Sequence, residues 1–329
     1  MKKGKAITAL ILAAAALLTG LGCTAALAAG AVVTSITVKN SAPIAENIQL
    51  ATYRGVSVTG AFRATDPEGD PFVFEVVTEP KKGVVMPGEG GSFLYTPNEG
   101  AGGRDSFSYV ARDEEGGVSA EAKVTVTIKK QTSPVSYSDM EGHAARYAAL
   151  RLAEEDVFTG DRLGGEYFFR PAENVTRGEF LAMCLRLRGV RPLEGVTRTS
   201  FSDDEDSADW VKPYISAALV SGYISGYTDR TGALVFAPDR PVRLSEAAVM
   251  LNNVLGVTDV VSAGAFGESE AVPAWAGRAM GNLISCGVLG SAAGSGESVT
   301  RARAAEMLSA AMDVLEARRT SRSLLDWIR

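Results

Sequence analysis

The stretch FFRPAENVTRGEFLAMCLRL, residues 168–187, predicts how the C-terminal part of the chain folds. Thr176 fits the N-cap of a helix, and Glu179 stands three residues later at N3, which together make a capping box. The apolar residues that follow have a period of 3.6, so a helix is predicted over Arg177 to Leu187. Arg177 would stand at the start of this helix, where unpaired N–H groups and the helix dipole favour an anion.

The same pattern recurs, so the region after Ser136 consists of repeated units. The unit starts are Tyr137-Ser138-Asp139, Phe201-Ser202-Asp203 and Phe266-Gly267-Glu268, separated by 64 and then 65 residues. The predicted helix pairs are Ala144 to Ala153 with Arg177 to Leu187, Trp210 to Val220 with Leu244 to Leu255, and Trp275 to Ile284 with Arg301 to Leu315. One helical hairpin buries too little apolar surface, so three of them are expected to stack as an all-α domain.

The region from about Asn40 to Lys129 instead alternates apolar and polar residues with period two. The predicted strands include Val73 to Val77, Ser92 to Tyr95, Ser106 to Val110 and Ala122 to Ile128. The segments DPEGDP, PGEGG and DEEGG between them are turn sequences. Several short strands over about 90 residues favour an all-β sandwich.

Residues 1–28 read as a secretory signal that is cleaved after Ala28. Lys2, Lys3 and Lys5 precede the apolar run Ile7 to Leu18, and Ala26-Leu27-Ala28 fits the cleavage pattern. A transmembrane anchor is the alternative, but the apolar run is short for a span. A lipid anchor on Cys23 is a second alternative with a poor sequence match. No later segment is long and apolar enough to span a bilayer, so export is predicted.

Composition excludes several function classes. The chain has 33 Lys and Arg against 39 Asp and Glu, a net charge of −6, and without the leader the balance is 30 against 39, or −9. Such acidity argues against nucleic acid or an anionic membrane surface as the main partner. His143 is the single histidine, which excludes a His-rich metal site. Cys184 and Cys286 lie in apolar helical contexts and are expected to be buried free thiols.

The β region resembles the cadherin-like, immunoglobulin-like repeats of bacterial surface proteins. The resemblance rests on SAPIA (41–45), ATDPEGDP (64–71), FLYTPN (93–98), GRDSFSY (103–109) and Arg112-Asp113. It implies a spacer or adhesive module that is sometimes stiffened by calcium. The candidate calcium ligands are Asp66, Asp70, Asp105 and Asp113, because calcium takes carboxylate oxygens. The alternative is that these aspartates are only turn formers, and no other cofactor is expected.

The helical units resemble S-layer homology repeats, which tether bacterial exoproteins to the cell wall. The resemblance covers roughly residues 137 to 315 and rests on the Phe-Phe-Arg-Pro loop at 168–171, the Thr-Arg-x-Glu motif at 176–179, and decayed copies in the other units. Three departures stand out. Ala144 stands where the family has Trp, Leu244 replaces the second Arg beside Arg243, and Arg303 replaces the third Glu.

The resemblance implies an acidic, often pyruvylated wall glycan as ligand. The candidate glycan-binding residues are Arg177, Arg301, Trp210, Trp275, Asp139 and Asp203, with Thr176, Glu179 and Thr300 as supporting helix caps. A guanidinium grips a carboxylate with two hydrogen bonds, and an indole face suits a sugar ring. Each candidate also has a structural explanation: an ion pair between units for the Arg residues, packing for the Trp residues, and helix-start charge for the Asp residues. The run Asp203-Asp204-Glu205-Asp206 is most simply a solvated loop.

The predicted order is a signal peptide at 1–28, an N-terminal linker at 29–40, a β-sandwich at 41–129 and a linker at 130–136. S-layer homology units follow at 137–200, 201–264 and 265–315, and then a basic tail at 316–329. The prediction is a non-catalytic protein of the cell wall or surface (S-layer) that binds a wall glycan. The first alternative is degenerate repeats that serve structure, protein interaction or self-association. The second is a wall hydrolase that uses two carboxylates.

Overall fold

The computed structural model describes residues 40–258, 272–290 and 294–328, with the side chains of the last helix described to residue 320. The predicted signal peptide, most of the N-terminal linker and the start of the third unit at Phe266 therefore lie outside the described residues. A β-rich region comes first and a helical region second, as predicted. The chain divides into two compact units, one of residues up to 48, 62–78 and 107–124, the other of residues 49–61, 79–106 and 125 onward.

Nine strands make up the β-rich region. They are β1 (Ile44–Ala45), β2 (Ile48–Tyr53), β3 (Val58–Ala61), β4 (Ala64–Thr65), β5 (Phe72–Thr78), β6 (Gly83–Pro87), β7 (Ser92–Pro97), β8 (Gly103–Asp113) and β9 (Ala122–Lys129). They form a four-stranded sheet in the order β2-β9-β8-β5, a three-stranded sheet in the order β3-β7-β6, and the pair β1-β4. In β7 and β9 alternate residues are buried, as the period of two predicts.

The first of these two compact units has an aromatic core. The Phe62 and Tyr109 rings lie 4.6 Å apart between centroids, and the Phe74 ring lies 5.3 Å from Phe62 and 5.7 Å from Tyr109. The buried Tyr109 hydroxyl donates to the carbonyl oxygens of Glu46 and Arg63, at 2.6 and 2.8 Å. These bonds hold two loops of the unit on its core.

In the second compact unit, the buried Asp105 carboxylate accepts hydrogen bonds from three donors. It receives hydrogen bonds from the Tyr95 hydroxyl at 2.8 Å and from the Lys81 and Lys82 backbone N–H groups at 3.0 and 2.8 Å. Burial by itself raises the pKa of Asp105, but these hydrogen bonds outweigh it and hold the pKa below its ordinary value. Asp105, one of the candidate calcium ligands, thus ties the start of β8 to the loop before β6 and to β7.

Asp105→Asn is expected to destabilise the β-rich region by about 2 kcal/mol at pH 7, because the amide turns one acceptor into a donor facing N–H groups. The lowered pKa means that the ionised form stabilises the fold above the unfolded pKa of about 3.9. This stabilisation is lost as the pH falls through the folded pKa. Calorimetric melting of the full chain between pH 3 and 7 measures both effects.

The control for this prediction is Asp70→Asn, since the Asp70 carboxylate accepts no hydrogen bond from the residues the structure describes. Equal acid sensitivity of the parent and Asp105→Asn would contradict the prediction.

Among the residues that the structure describes, the helical region contains six helices and two short hairpins. They are α1 (Arg146–Glu154), β10 (Asp161–Leu163), β11 (Glu166–Phe168), α2 (Arg177–Arg188), α3 (Lys212–Val220), β12 (Tyr227–Thr228), β13 (Leu234–Val235), α4 (Leu244–Leu255), α5 (Ala274–Ser285) and α6 (Arg301–Ile328). Trp210 lies in the turn before α3 and not in the helix. The last helix continues through most of the basic tail, and Arg318 donates to the Gly256 carbonyl oxygen just beyond α4, at 3.2 Å.

Three backbone hydrogen bonds close a ring within the helical region. Val175 N–H donates to the Val299 carbonyl, Val299 to Val242, and Val242 to Val175, each at 2.9 Å. Each valine stands two residues before α2, α4 or α6, and none is more than 1% exposed. The three described helix pairs are therefore arranged around an approximate threefold axis, and each touches both of the others.

Candidate functional site

The first N–H groups of α2, α4 and α6 are already used. In α2, Arg177 N–H donates to the Arg240 carbonyl at 2.9 Å and Gly178 N–H to the Pro238 carbonyl at 2.8 Å. The first two residues of α4 donate in the same way to Glu297 and Ser295, and those of α6 to Glu173 and Pro171. Each helix start is thus capped by the loop of another unit. The N–H groups that were expected to favour an anion are occupied by carbonyl oxygens.

The Arg177 side chain lies inside the boundary between the first and second units. Its Nε donates to the Phe236 carbonyl at 2.9 Å, its Nη1 lies 3.2 Å from Glu246 Oε1, and its guanidinium carbon lies 4.9 Å from the Phe236 ring centroid. Only 8% of the side chain is exposed. Burial lowers the pKa of Arg177 against the opposing charge of Glu246.

Glu246 joins two arginines at this boundary. Arg240 Nη2 lies 2.5 Å from the same Oε1, while Glu246 Oε2 accepts the backbone N–H of Arg243 at 3.0 Å. Burial would raise the pKa of Glu246, but the hydrogen bonds from Arg240 and Arg243 and the charge of Arg177 outweigh it and lower the pKa. Glu246 accepts the backbone N–H of Arg243 just as Glu179 accepts that of Thr176. The capping box predicted for Thr176 and Glu179 is therefore present.

Arg301 occupies the corresponding place between the third and first units. Its Nη1 donates to Asp161 Oδ2 at 2.8 Å, and its Nη2 lies 3.5 Å from Glu173. The Thr300 hydroxyl accepts the N–H of Arg303 at 3.3 Å and so caps α6 without a glutamate. Leu244 takes the equivalent place between the second and third units and is 4% exposed. The two arginines and this leucine all lie between units.

Asp139 and Asp203 hold the loops that carry Phe169 and Phe236. Asp139 accepts the N–H groups of Phe169 and Arg170 at 2.9 and 2.6 Å. Asp203 accepts the N–H groups of Phe236 and Ala237, at 2.6 Å for Ala237. Both phenylalanines are at most 1% exposed. From sequence, a favourable charge near a helix start was enough to explain both aspartates. In the structure they instead hold loops by accepting backbone hydrogen bonds.

In the acidic run beside Asp203, Glu205 and Asp206 are exposed, as a solvated loop predicts, but Asp204 is not. Asp204 is 6% exposed, accepts the Thr199 N–H at 2.6 Å and lies 3.4 Å from the buried Lys212 ammonium group. Burial of a paired charge is costly unless hydrogen bonds complete it, and here they do.

Trp210 and Trp275 are the exposed members of the candidate set, at 52% and 60%. The Trp210 ring lies 6.3 Å from the Tyr214 ring, in an edge-on arrangement. Arg186, at the end of α2, donates from Nε and Nη2 to the Tyr214 hydroxyl, both at 3.2 Å. Sequence reasoning missed Tyr214 and Arg186. The available signal was an Arg–x–Arg pattern at the end of one predicted helix, followed by two aromatic residues at the start of the next predicted helix.

The four candidate calcium ligands do not come together as one group. Within the described residues no three Asp, Glu, His or Cys side chains form a group that could hold a metal. Asp66 Oδ1 accepts the N–H groups of Glu68 and Asp70, and Asp113 accepts those of Glu115 and Gly117. Asp66 Oδ2 is buried without a donor in the described part, which suits a cation. Calcium stays a prediction that melting with Ca²⁺ or with chelator tests.

Two family models match the chain. The bacterial cadherin-like domain matches residues 40–130, and the S-layer homology domain matches residues 136–181 and 200–248. Both assignments agree with the resemblances seen in the sequence. In the described residues no helix is long and apolar enough to cross a membrane.

Two curated relatives are similar over short segments. Cell surface glycoprotein 1 of Acetivibrio thermocellus is 28% identical over 127 residues, 36% of this chain and 5% of that protein. The amylopullulanase of Thermoanaerobacterium thermosulfurigenes is 26% identical over 134 residues, 40% of this chain and 7% of that protein. This chain therefore spans less than a tenth of either relative.

Among solved structures, an endo-fucoidan hydrolase of glycoside hydrolase family 107 (MfFcnA9) has a TM-score of 0.23 and 14% identity, over 27% of this chain and 16% of that chain. That likeness is too slight to carry an argument.

Proposed function

Because the chain carries a bacterial cadherin-like domain followed by S-layer homology domains, we propose that its helical region binds an acidic wall glycan and so anchors the protein at the cell surface. S-layer homology domains indicate wall anchoring and surface localisation. The β-rich region is then a β-sandwich displayed as a spacer or adhesive module, and the protein has no catalytic role. The carrying observation is that Trp210 and Trp275 present exposed indole faces at the same place in two units.

The third helix pair is proposed to be a third S-layer homology unit. The family model stops at residue 248, but Val299, which precedes α6, takes the same part in the valine ring as Val175 and Val242. Arg301 also contacts the first unit as Arg177 contacts the second. The family's loop has decayed in this unit while the contacts that close the ring remain.

The second candidate function is a structural one without glycan affinity. The observation that favours it is the burial of Arg177 and Arg301, both of which pair with carboxylates of another unit. In that case the degenerate repeats would pack, self-associate or bind a protein. The exposed tryptophans oppose it, since packing alone would bury them. A wall hydrolase is the weakest alternative, because both regions are accounted for by non-catalytic modules.

Co-sedimentation of the full chain with walls of its source organism tests the proposal. We expect binding to native walls that falls to background once the secondary polymer is stripped. Loss of a stacking contact is worth about 1 to 3 kcal/mol, so Trp210→Ala should weaken binding by about 5- to 150-fold.

Val220→Ala is the control, since Val220 is 80% exposed and outside the candidate set. Absence of binding to either wall would overturn the anchor and favour the structural role. Clearing of wall turbidity would instead indicate a hydrolase.

A further inference from the structure

The three boundaries between units carry different side chains on their outer surfaces. At the first boundary, Arg186 is the tenth residue of α2, and Trp210 and Tyr214 follow at the start of α3. The corresponding residues at the second boundary are Asn253, Trp275 and Ala279. At the third boundary they are Ala310, Ala144 and Ala148. Only the first boundary therefore combines a cation with two aromatic rings in the described part of the chain.

Arg186 differs from Arg177 in being accessible. It is exposed, and it makes no ion pair with a described residue, whereas Arg177 is enclosed with Glu246. Two of its five N–H groups donate to the Tyr214 hydroxyl, and its guanidinium carbon lies 5.8 Å from the centroid of that ring. The tyrosine thus orients the guanidinium, and the other N–H groups remain for a ligand.

Exposed charges of both signs lie near this boundary. Asp209 is fully exposed next to Trp210, and two further arginines follow Arg186. Arg188 and Arg191 are exposed close to Arg186 in sequence. The segment that carries them is held against the start of α3 by a hydrogen bond from Leu193 N–H to the Pro213 carbonyl, at 3.2 Å. These cations stand out in a chain whose net charge is −6.

We propose that Arg186 is the residue that selects an acidic sugar, and that Trp210, Tyr214 and Arg186 form one glycan site per chain at the boundary between the first and second units. This inference rests on the proposed glycan binding and deepens it. The sugar's C–H face lies on Trp210, and its carboxylate accepts two parallel hydrogen bonds from the free edge of the Arg186 guanidinium. Arg177 serves only to join the units.

Calorimetric titration of the full chain tests the proposal with two probes. One is the methyl glycoside of an N-acetylhexosamine bearing a 4,6-pyruvate ketal. The other carries a 4,6-isopropylidene ketal, in which a methyl group replaces the carboxylate. We expect a stoichiometry of one for the pyruvate probe. Arg186→Ala should weaken that binding about 10- to 100-fold, since a hydrogen-bonded charge is lost. It should leave the weak binding of the isopropylidene probe unchanged.

Arg230→Ala is the matched control, because Arg230 is an exposed arginine outside the proposed site. It is expected to bind within about twofold of the parent. Wild-type affinity of Arg186→Ala, a stoichiometry of three, or an equal loss in Trp275→Ala would each overturn the inference. So would binding of the parent to walls but not to the pyruvate probe. In those cases co-sedimentation of the parent with walls would still support the anchoring function. If the parent does not sediment with walls, both the anchoring function and the Arg186 site are contradicted.

Discussion

Arg177→Ala is expected to lower the free energy of unfolding of the helical region by about 3 kcal/mol, the low end of the range for breaking a buried ion pair. The substitution removes the hydrogen bond to the Phe236 carbonyl and the packing on the Phe236 ring. Glu246 keeps its contact with Arg240, so its charge is not left alone. The far-UV circular dichroism melt of the full chain at 222 nm should shift down by about 6 to 12 °C.

Arg177→Leu is the matched control, because the chain itself places Leu244 at the equivalent position of α4. Leucine fills part of the space and needs no hydrogen bonds, so it should cost about 1 kcal/mol. A melt of Arg177→Ala equal to that of the parent would show that Arg177 does not join the units, and would reopen it as a ligand residue.

Gly226→Ala is expected to destabilise the second unit by about 3 kcal/mol. Gly226 has a φ of +73°, where an L-residue costs about 1 kcal/mol. A Cβ there would stand 2.3 Å from a ring carbon of the buried Phe201 and 2.9 Å from the Val235 carbonyl oxygen. Backbone and a buried ring cannot move aside cheaply, so overpacking adds about 2 kcal/mol.

Gly232→Ala separates the two contributions to this loss. Gly232 lies in the same unit with a φ of +85°, but a Cβ there would meet nothing within 4 Å. It should therefore show only the conformational cost of about 1 kcal/mol. Urea unfolding followed at 222 nm measures both variants, and equal losses would contradict the predicted clash with Phe201.

Local pattern was enough for much of the fold. The capping box at Thr176 and Glu179 predicted the start of α2 because its hydrogen bonds join residues three apart. The start of α4 at Leu244 likewise follows from the repeat. Helix starts at Trp210 and Ala144 were set two residues early, since the turns before α3 and α1 have no such cap.

The candidate site also has features that the sequence predicts and features that only the structure reveals. Residue type and repeat position pointed to Trp210 and Trp275 as ligand candidates, and both side chains are exposed. Residue type and repeat position were not sufficient to decide the use of Asp139 and Asp203, whose partners lie about 30 residues away. Nor did they reveal Tyr214 and Arg186, which meet across two helices.

The sequence by itself determined the order of a β-rich and a helical region, the repeated helix pairs and the family resemblances, because periodicity and capping act over a few residues. Only the tertiary structure decided what each arginine does. Arg177 and Arg186 lie nine residues apart on one helix, yet the first is enclosed by another unit and the second is exposed beside Tyr214. The ring of Val175, Val242 and Val299 imposes that difference, since it brings the loop of the second unit over the helix start of the first, where Arg177 lies.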